Sequence, residues 1–88
     1  MLIDFDPAKD CVNQAKHGVS LADAGLIEWE TALIRPDSRK DYGEVRFQAL
    51  GLLDGRLYLV AFTVRGESLR VISMRKANKR EERQYEQA

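Results

Sequence analysis

Apolar and polar positions along this chain change their period as it proceeds, and each change marks a different element. Residues 2–5 are a short apolar run that predicts a strand. Asp6-Pro7 then opens a helix, with the Asp side chain as N-cap and Pro at the first helical position, where its missing N–H costs nothing. Ala8, Cys11, Val12 and Ala15 recur at i, i+3, i+4 and i+7, which predicts a helix with one apolar face turned to the core. Gly18 ends it as the left-handed residue. Ser20 caps a second predicted helix, with Asp23 at the capping-box position, running to about Trp29. Residues 31–35 read as a strand stopped by Pro36, and a polar loop fills residues 37–44.

The second half alternates with period two. Strands over residues 45–53 and 56–64 flank Asp54-Gly55, a strong type I′ hairpin signal. That turn sets a register in which Phe47 faces Phe62, Ala49 faces Val60 and Gly51 faces Tyr58, on an apolar side that meets the helices. The other side pairs Arg46 with Thr63, Gln48 with Ala61, Leu50 with Leu59 and Leu52 with Leu57. A turn at Arg65-Gly66 brings in a third strand over residues 67–74, with Leu69 and Val71 in the core and Arg70 beside Ala61 and Gln48. A slip of one residue there would exchange its faces. The non-core side thus divides into a polar end (Arg46, Gln48, Thr63, Arg70) and an apolar end (Leu50, Leu52, Leu57, Leu59, Ile72, Met74). A C-terminal helix capped by Asn78, with Glu81 in the capping box, is available to cover the apolar end. Its one large apolar side chain is Tyr85, so a partner protein is expected to complete the burial.

The pattern is α+β: a short N-terminal strand, two helices, a mainly antiparallel sheet and a C-terminal helix. Its 88 residues make one small domain. Lys+Arg and Asp+Glu number 14 each, so no global cationic field marks a nucleic-acid binder. The halves differ, however. Residues 1–34 hold two basic and six acidic groups, residues 35–88 twelve basic and eight acidic, and residues 70–80 five basic and none acidic. One cysteine (Cys11) and one histidine (His17) exclude a disulfide framework and a structural zinc site. The longest apolar runs are strand-sized, and acid stands near the N-terminus where a signal peptide would carry base. A cytoplasmic protein without a membrane span is expected.

Five segments together carry a family resemblance: Phe5-Asp6-Pro7-Ala8-Lys9, Lys16-His17-Gly18-Val19-Ser20, Gly43-Glu44-Val45-Arg46-Phe47, Val71-Ile72-Ser73-Met74-Arg75-Lys76-Ala77, and Lys79-Arg80-Glu81 followed by Tyr85. Each is weak alone, but in this order over nearly the whole chain they resemble the BrnT toxins of bacterial type II toxin–antitoxin systems. The resemblance implies a single RelE-like domain over residues 1–88 and a ribonuclease that arrests growth. It also implies neutralisation by a ribbon-helix-helix antitoxin, BrnA, through which alone operator DNA would be met.

RNA supplies its own nucleophile, the 2′-OH. The sequence has no carboxylate cluster for a two-metal site, and no cofactor motif. Cleavage without metal needs a base for the 2′-OH proton, cations on the phosphorane oxygens and an acid for the leaving 5′-oxygen, and gives a 2′,3′-cyclic phosphate and a 5′-OH. Guanidinium forks suit the phosphate role. The candidate catalytic residues are therefore Lys16, His17, Arg46, Arg70, Arg75 and Tyr85, with Gln48, Lys76, Lys79 and Arg80 as RNA contacts. Glu44 is a further proton-transfer group.

Plainer roles stand beside these. Lys16 and His17 suit a helix C-terminus electrostatically, Glu44 could simply pair with an arginine, and Tyr85 could be its helix's core anchor. The basic run could be a solvated face or a dock for an acidic antitoxin segment. A second function class fits the same run: a non-catalytic module that acts with its antitoxin as co-repressor.

Overall fold

The computed structural model describes residues 2–88, so Met1 lies outside it. The elements are β1 (Leu2–Asp4), α1 (Pro7–His17), two 3₁₀ segments (Leu21–Leu26 and Trp29–Thr31), β2 (Leu33–Asp37), β3 (Arg46–Leu53), β4 (Arg56–Arg65), β5 (Ser68–Lys76) and α2 (Lys79–Gln87). The α+β class therefore holds. The five strands form one mixed sheet in the order β1-β5-β4-β3-β2, antiparallel except for β1 against β5.

The β3–β4 hairpin follows the register read from its turn, from Phe47↔Phe62 to Leu53↔Arg56. Asp54 and Gly55 both have positive φ, 49° and 77°, as a type I′ turn requires. Pro36 does not stop β2, which continues to Asp37. β2 is an edge strand, and there a missing N–H can face outward.

The region after Ser20 is not an α-helix. Ser20 does cap it, accepting a hydrogen bond from Ala22 N–H at 3.2 Å. Its buried residues are Leu21, Ala24 and Ile27. That spacing of three puts all of them on one side of a helix with three residues per turn, whereas an α-helix would splay them. The segment lies close to the sheet: a Cβ at Gly51 would collide with Ile27 Cγ2. Around it, Phe62 stacks on Phe47 and meets the edge of Trp29, with ring centroids 5.5 and 5.6 Å apart.

α1 reverses the expected orientation. Ala8, Cys11, Val12 and Ala15 are all exposed, Val12 at 64%. Buried instead is Asn13, at 5%. The reason lies in the sheet. β1 covers the edge of β5 only as far as Asp4↔Arg70, and beyond it α1 runs along that edge. A helix against a strand edge must satisfy backbone donors and acceptors, and only polar side chains do that. Asn13 bonds both backbone groups of Met74, while Asp10 accepts Leu21 N–H at 2.7 Å and the Ser20 hydroxyl at 3.2 Å.

β5 holds a second correction. Its ladder with β4 shifts between Ala61↔Ser73 and Phe62↔Val71, leaving Ile72 as the extra residue of a bulge. Alternation therefore breaks: Val71 and Met74, three apart, both enter the core. The turn before β5 is Gly66-Glu67, one residue later than Arg65-Gly66, so Arg70 stands opposite Thr63, not Ala61. The supposed apolar end is also closed. Leu50 is 1% and Leu59 8% exposed, packed with Leu57 and Ala77 beneath Tyr85, Leu33 and Leu52. α2 covers this cluster without a partner, because Ala77 and the β2 residue Leu33 supply apolar surface that Tyr85 alone lacks.

Candidate active site

β3 and β4 run antiparallel, so their far ends bring Arg46, Glu44 and Arg65 together. Glu44 Oε1 lies 3.4 Å from an Arg65 guanidinium nitrogen, and Oε2 lies 3.5 Å from Arg46 Nε. β5 adds Arg70, and the first turn of α1 adds Asp6 and Lys9. Together with Val71 and Ile72 these residues line one cleft. Four cations thus face two carboxylates, one of which, Asp6, is occupied as N-cap by Ala8 N–H at 2.9 Å.

Each arginine is held differently. Arg70 donates to Asp4 Oδ2 at 2.7 Å, since parallel pairing sets Asp4 and Arg70 side by side. That hydrogen bond keeps the Asp4 carboxyl below its ordinary pKa. Arg46 lies over the Tyr42 ring, 4.0 Å from its centroid. Tyr42 is placed by the loop between β2 and β3: its hydroxyl lies 3.4 Å from Asp37 Oδ2, and Asp37 also takes the Arg39 fork at 2.8 and 2.9 Å. The Arg39 fork leads the interactions that hold Asp37 down to about 2. Arg46 Nε is buried and has no hydrogen-bond partner among the described residues; Glu44 at 3.5 Å is within ion-pair range but outside good hydrogen-bond geometry.

A second cationic cleft lies beneath the start of α2, lined among others by Arg35, Arg39, Gln48, Arg75, Arg80 and Glu81. Here the main cations are already matched. Arg75 makes a fork to Glu81 at 2.8 and 2.9 Å, and Arg35 donates to Gln84 at 3.0 Å and to Gln48 at 3.4 Å. Glu81 also accepts Asn78 N–H at 2.9 Å, closing the expected capping box. Burial pushes the Glu81 carboxyl up, but the Arg75 fork and the Asn78 N–H outweigh it and leave its pKa lowered. This network ties α2 to the sheet.

The expected site residues therefore do not form one constellation. Arg46 and Arg70 meet. Lys16 and His17 line the far end of a neighbouring groove that runs along α1 and meets the cleft at Lys9 and Ile72. Eight residues of helix separate His17 from Lys9, a rise of about 12 Å. Arg75, Gln48 and Arg80 belong to the α2 cleft. Lys76 and Lys79 are exposed and border neither cleft. Tyr85 packs in the second apolar cluster, and its hydroxyl donates to Thr31 O at 3.2 Å.

Lys9 and Arg65 are the residues that sequence reasoning missed. For Arg65 a signal existed: extending the hairpin ladder three steps past Phe47↔Phe62 sets it opposite Glu44. Lys9 depends on the parallel pairing of β1, which no local pattern announces.

Among the described residues, no three His, Cys, Asp or Glu side chains cluster closely enough to share a metal ion, and no helix is long and apolar enough to cross a membrane. A search of curated proteins finds no match. A family model described as the ribonuclease toxin BrnT of type II toxin–antitoxin systems matches residues 5–81, which include the whole four-cation cleft. On that match, the chain belongs to the BrnT family of type II toxin–antitoxin ribonuclease toxins.

Proposed function

We propose that the chain is an endoribonuclease with a RelE-like fold that cuts RNA without a metal ion, and that the cleft of Lys9, Arg46, Arg65 and Arg70 is its active centre. The observation that carries this reading is the convergence of four cations from four elements on one small cleft, with a buried guanidinium donor, Arg46 Nε, that has no hydrogen-bond partner among the described residues. Fixed cations neutralise the charge that grows on the phosphorane oxygens, the role a metal ion would otherwise fill.

The residues divide by chemistry. Arg46, Arg65 and Arg70 hold the scissile phosphate, because guanidinium forks match paired oxygens and keep their protons. Glu44 takes the 2′-OH proton; Asp6 is committed to its helix cap. The 2′-oxygen attacks phosphorus and the bond to the 5′-oxygen breaks. Lys9 is the one cation of the cleft able to give up a proton, and it protonates that leaving oxygen. The products are a 2′,3′-cyclic phosphate and a 5′-OH. Lys16 and His17 stand too far along α1 to serve this phosphate, and Arg75 and Tyr85 hold α2.

Growth arrest in the cytoplasm follows from RNA cutting. The family resemblance supports a BrnA-like ribbon-helix-helix antitoxin as the partner, with operator DNA met only through it. The test is to incubate the purified chain with total RNA in EDTA and analyse the ends. Cyclic phosphate and 5′-OH termini are expected. Loss of cleavage in EDTA with recovery in Mg²⁺ would overturn metal independence; RNA binding without any cutting would favour the co-repressor module.

A further inference from the structure

The outward turn of α1 leaves a surface that the fold itself does not use. Ala8 and Val12 of its apolar stripe, with Ile72 from the β5 bulge, form the apolar part of a groove of about 330 Å³, completed by Lys9, Asn13, Lys16, His17 and Ser73. Among large exposed hydrophobics, Leu26, Ile34, Val45 and Val64 do not line it; Val12 does. No carboxylate lines the groove, while Lys9, Lys16 and His17 do.

We infer that this groove seats the protein antitoxin, through an amphipathic helix whose apolar side chains enter between α1 and Ile72 and whose flanking acidic residues meet Lys9 and Lys16. The inference rests on the reading of the chain as a toxin restrained by such a partner. Three features select this occupant. An apolar floor beside a cationic rim fits a helix with apolar anchors and acidic flanks. RNA fits less well, because no Phe, Tyr or Trp among the described residues lines the groove for a base to stack on, and the small His17 imidazole is the one ring there. A second copy fits poorly too: a two-fold contact sets the same patch against itself, so lysines would face lysines with no acid between them.

The position also accounts for inhibition. Lys9 and Ile72 line both this groove and the four-cation cleft. A helix seated here lies against the mouth of the cleft, blocks the path of an RNA strand and occupies Lys9, leaving the three arginines of the phosphate site untouched.

The experiment titrates the full chain against its purified antitoxin, comparing wild type, Val12→Asp and Leu26→Asp. Both substituted residues are largely exposed, at 64% and 68%, so neither change buries a charge in the fold. Val12→Asp is expected to weaken binding at least about 30-fold and Leu26→Asp less than about twofold. RNA cleavage by free Val12→Asp should match wild type, and antitoxin that silences wild type should no longer silence it. Amide exchange on the wild-type complex should show new protection at residues 8–17.

Unchanged affinity in Val12→Asp, or no protection on α1, overturns the inference. So does loss of RNA cleavage in that variant, which would make the groove part of the RNA path. A wild-type dimer abolished by the substitution would assign the groove to a second copy and overturn it likewise. Should wild type prove inactive on RNA while Val12→Asp still loses the antitoxin, the docking surface stands and the ribonuclease reading falls.

Discussion

Asn13 takes the place of a neighbouring strand for Met74: its amide donates to the Met74 carbonyl at 2.9 Å and its Oδ1 accepts Met74 N–H at 3.2 Å. The same amide donates to Val19 O at 2.8 Å, so one side chain fixes α1, the turn after it and the later part of β5. Truncation to Ala would leave two buried groups of Met74 without partners, each costing about 1–3 kcal/mol. Asn13→Ala is therefore expected to lose about 2–4 kcal/mol in urea unfolding, with an unchanged m-value. A loss under about 0.5 kcal/mol would mean that water replaces the amide.

Glu81 sets a pH dependence. Its folded pKa lies below the ordinary 4.5, because the Arg75 fork and the Asn78 N–H outweigh its burial. A depressed carboxyl contributes stability that is fully present above the unfolded pKa and is lost as pH falls through the folded value. Melting temperature should therefore fall below about pH 4.5 in wild type. In Glu81→Gln it should start lower at neutral pH and fall less on acidification. Parallel curves for the two proteins would remove Glu81 from the acid limb.

Tyr42 is expected to act through Arg46. Its ring carries the guanidinium at 4.0 Å, a contact typically worth about 0.5–2 kcal/mol. Tyr42→Leu should slow cleavage of a defined RNA oligonucleotide roughly 3–30-fold. Tyr42→Phe, which keeps the ring and loses only a 3.4 Å contact to Asp37, should recover most of the rate. Equal losses in both variants would assign the effect to loop anchoring rather than to the ring.

What the sequence makes legible here divides along physical lines. The β3–β4 ladder could be read residue by residue, because a two-residue turn with two positive-φ positions allows only one register. Helix caps at Asp6, Ser20 and Asn78 were legible for a similar reason: their hydrogen bonds close within a few residues. Two features of β5 were not: its turn is Gly66-Glu67, which moves Arg70 opposite Thr63, and the bulge at Ile72 carries Met74 into the core. Nor was the direction of α1. An apolar stripe at helical spacing ordinarily packs inward, but here the polar stripe of Asp10 and Asn13 meets a strand edge that only long-range pairing creates. The candidate site follows the same division: Arg46 and Glu44 come from the hairpin, whereas Lys9 joins them through β1.

The central claim is that RNA is cut at the cleft of Lys9, Arg46, Arg65 and Arg70 rather than beneath α2. Single-turnover cleavage of a defined RNA oligonucleotide in EDTA, comparing Arg46→Ala with Arg80→Ala, tests it most directly. Arg46→Ala is predicted to lose about 10²–10³ in rate while the exposed Arg80→Ala stays within about twofold of wild type. The reverse ordering, with Arg80→Ala crippled and Arg46→Ala near wild type, would move the active centre to the α2 cleft and contradict the account.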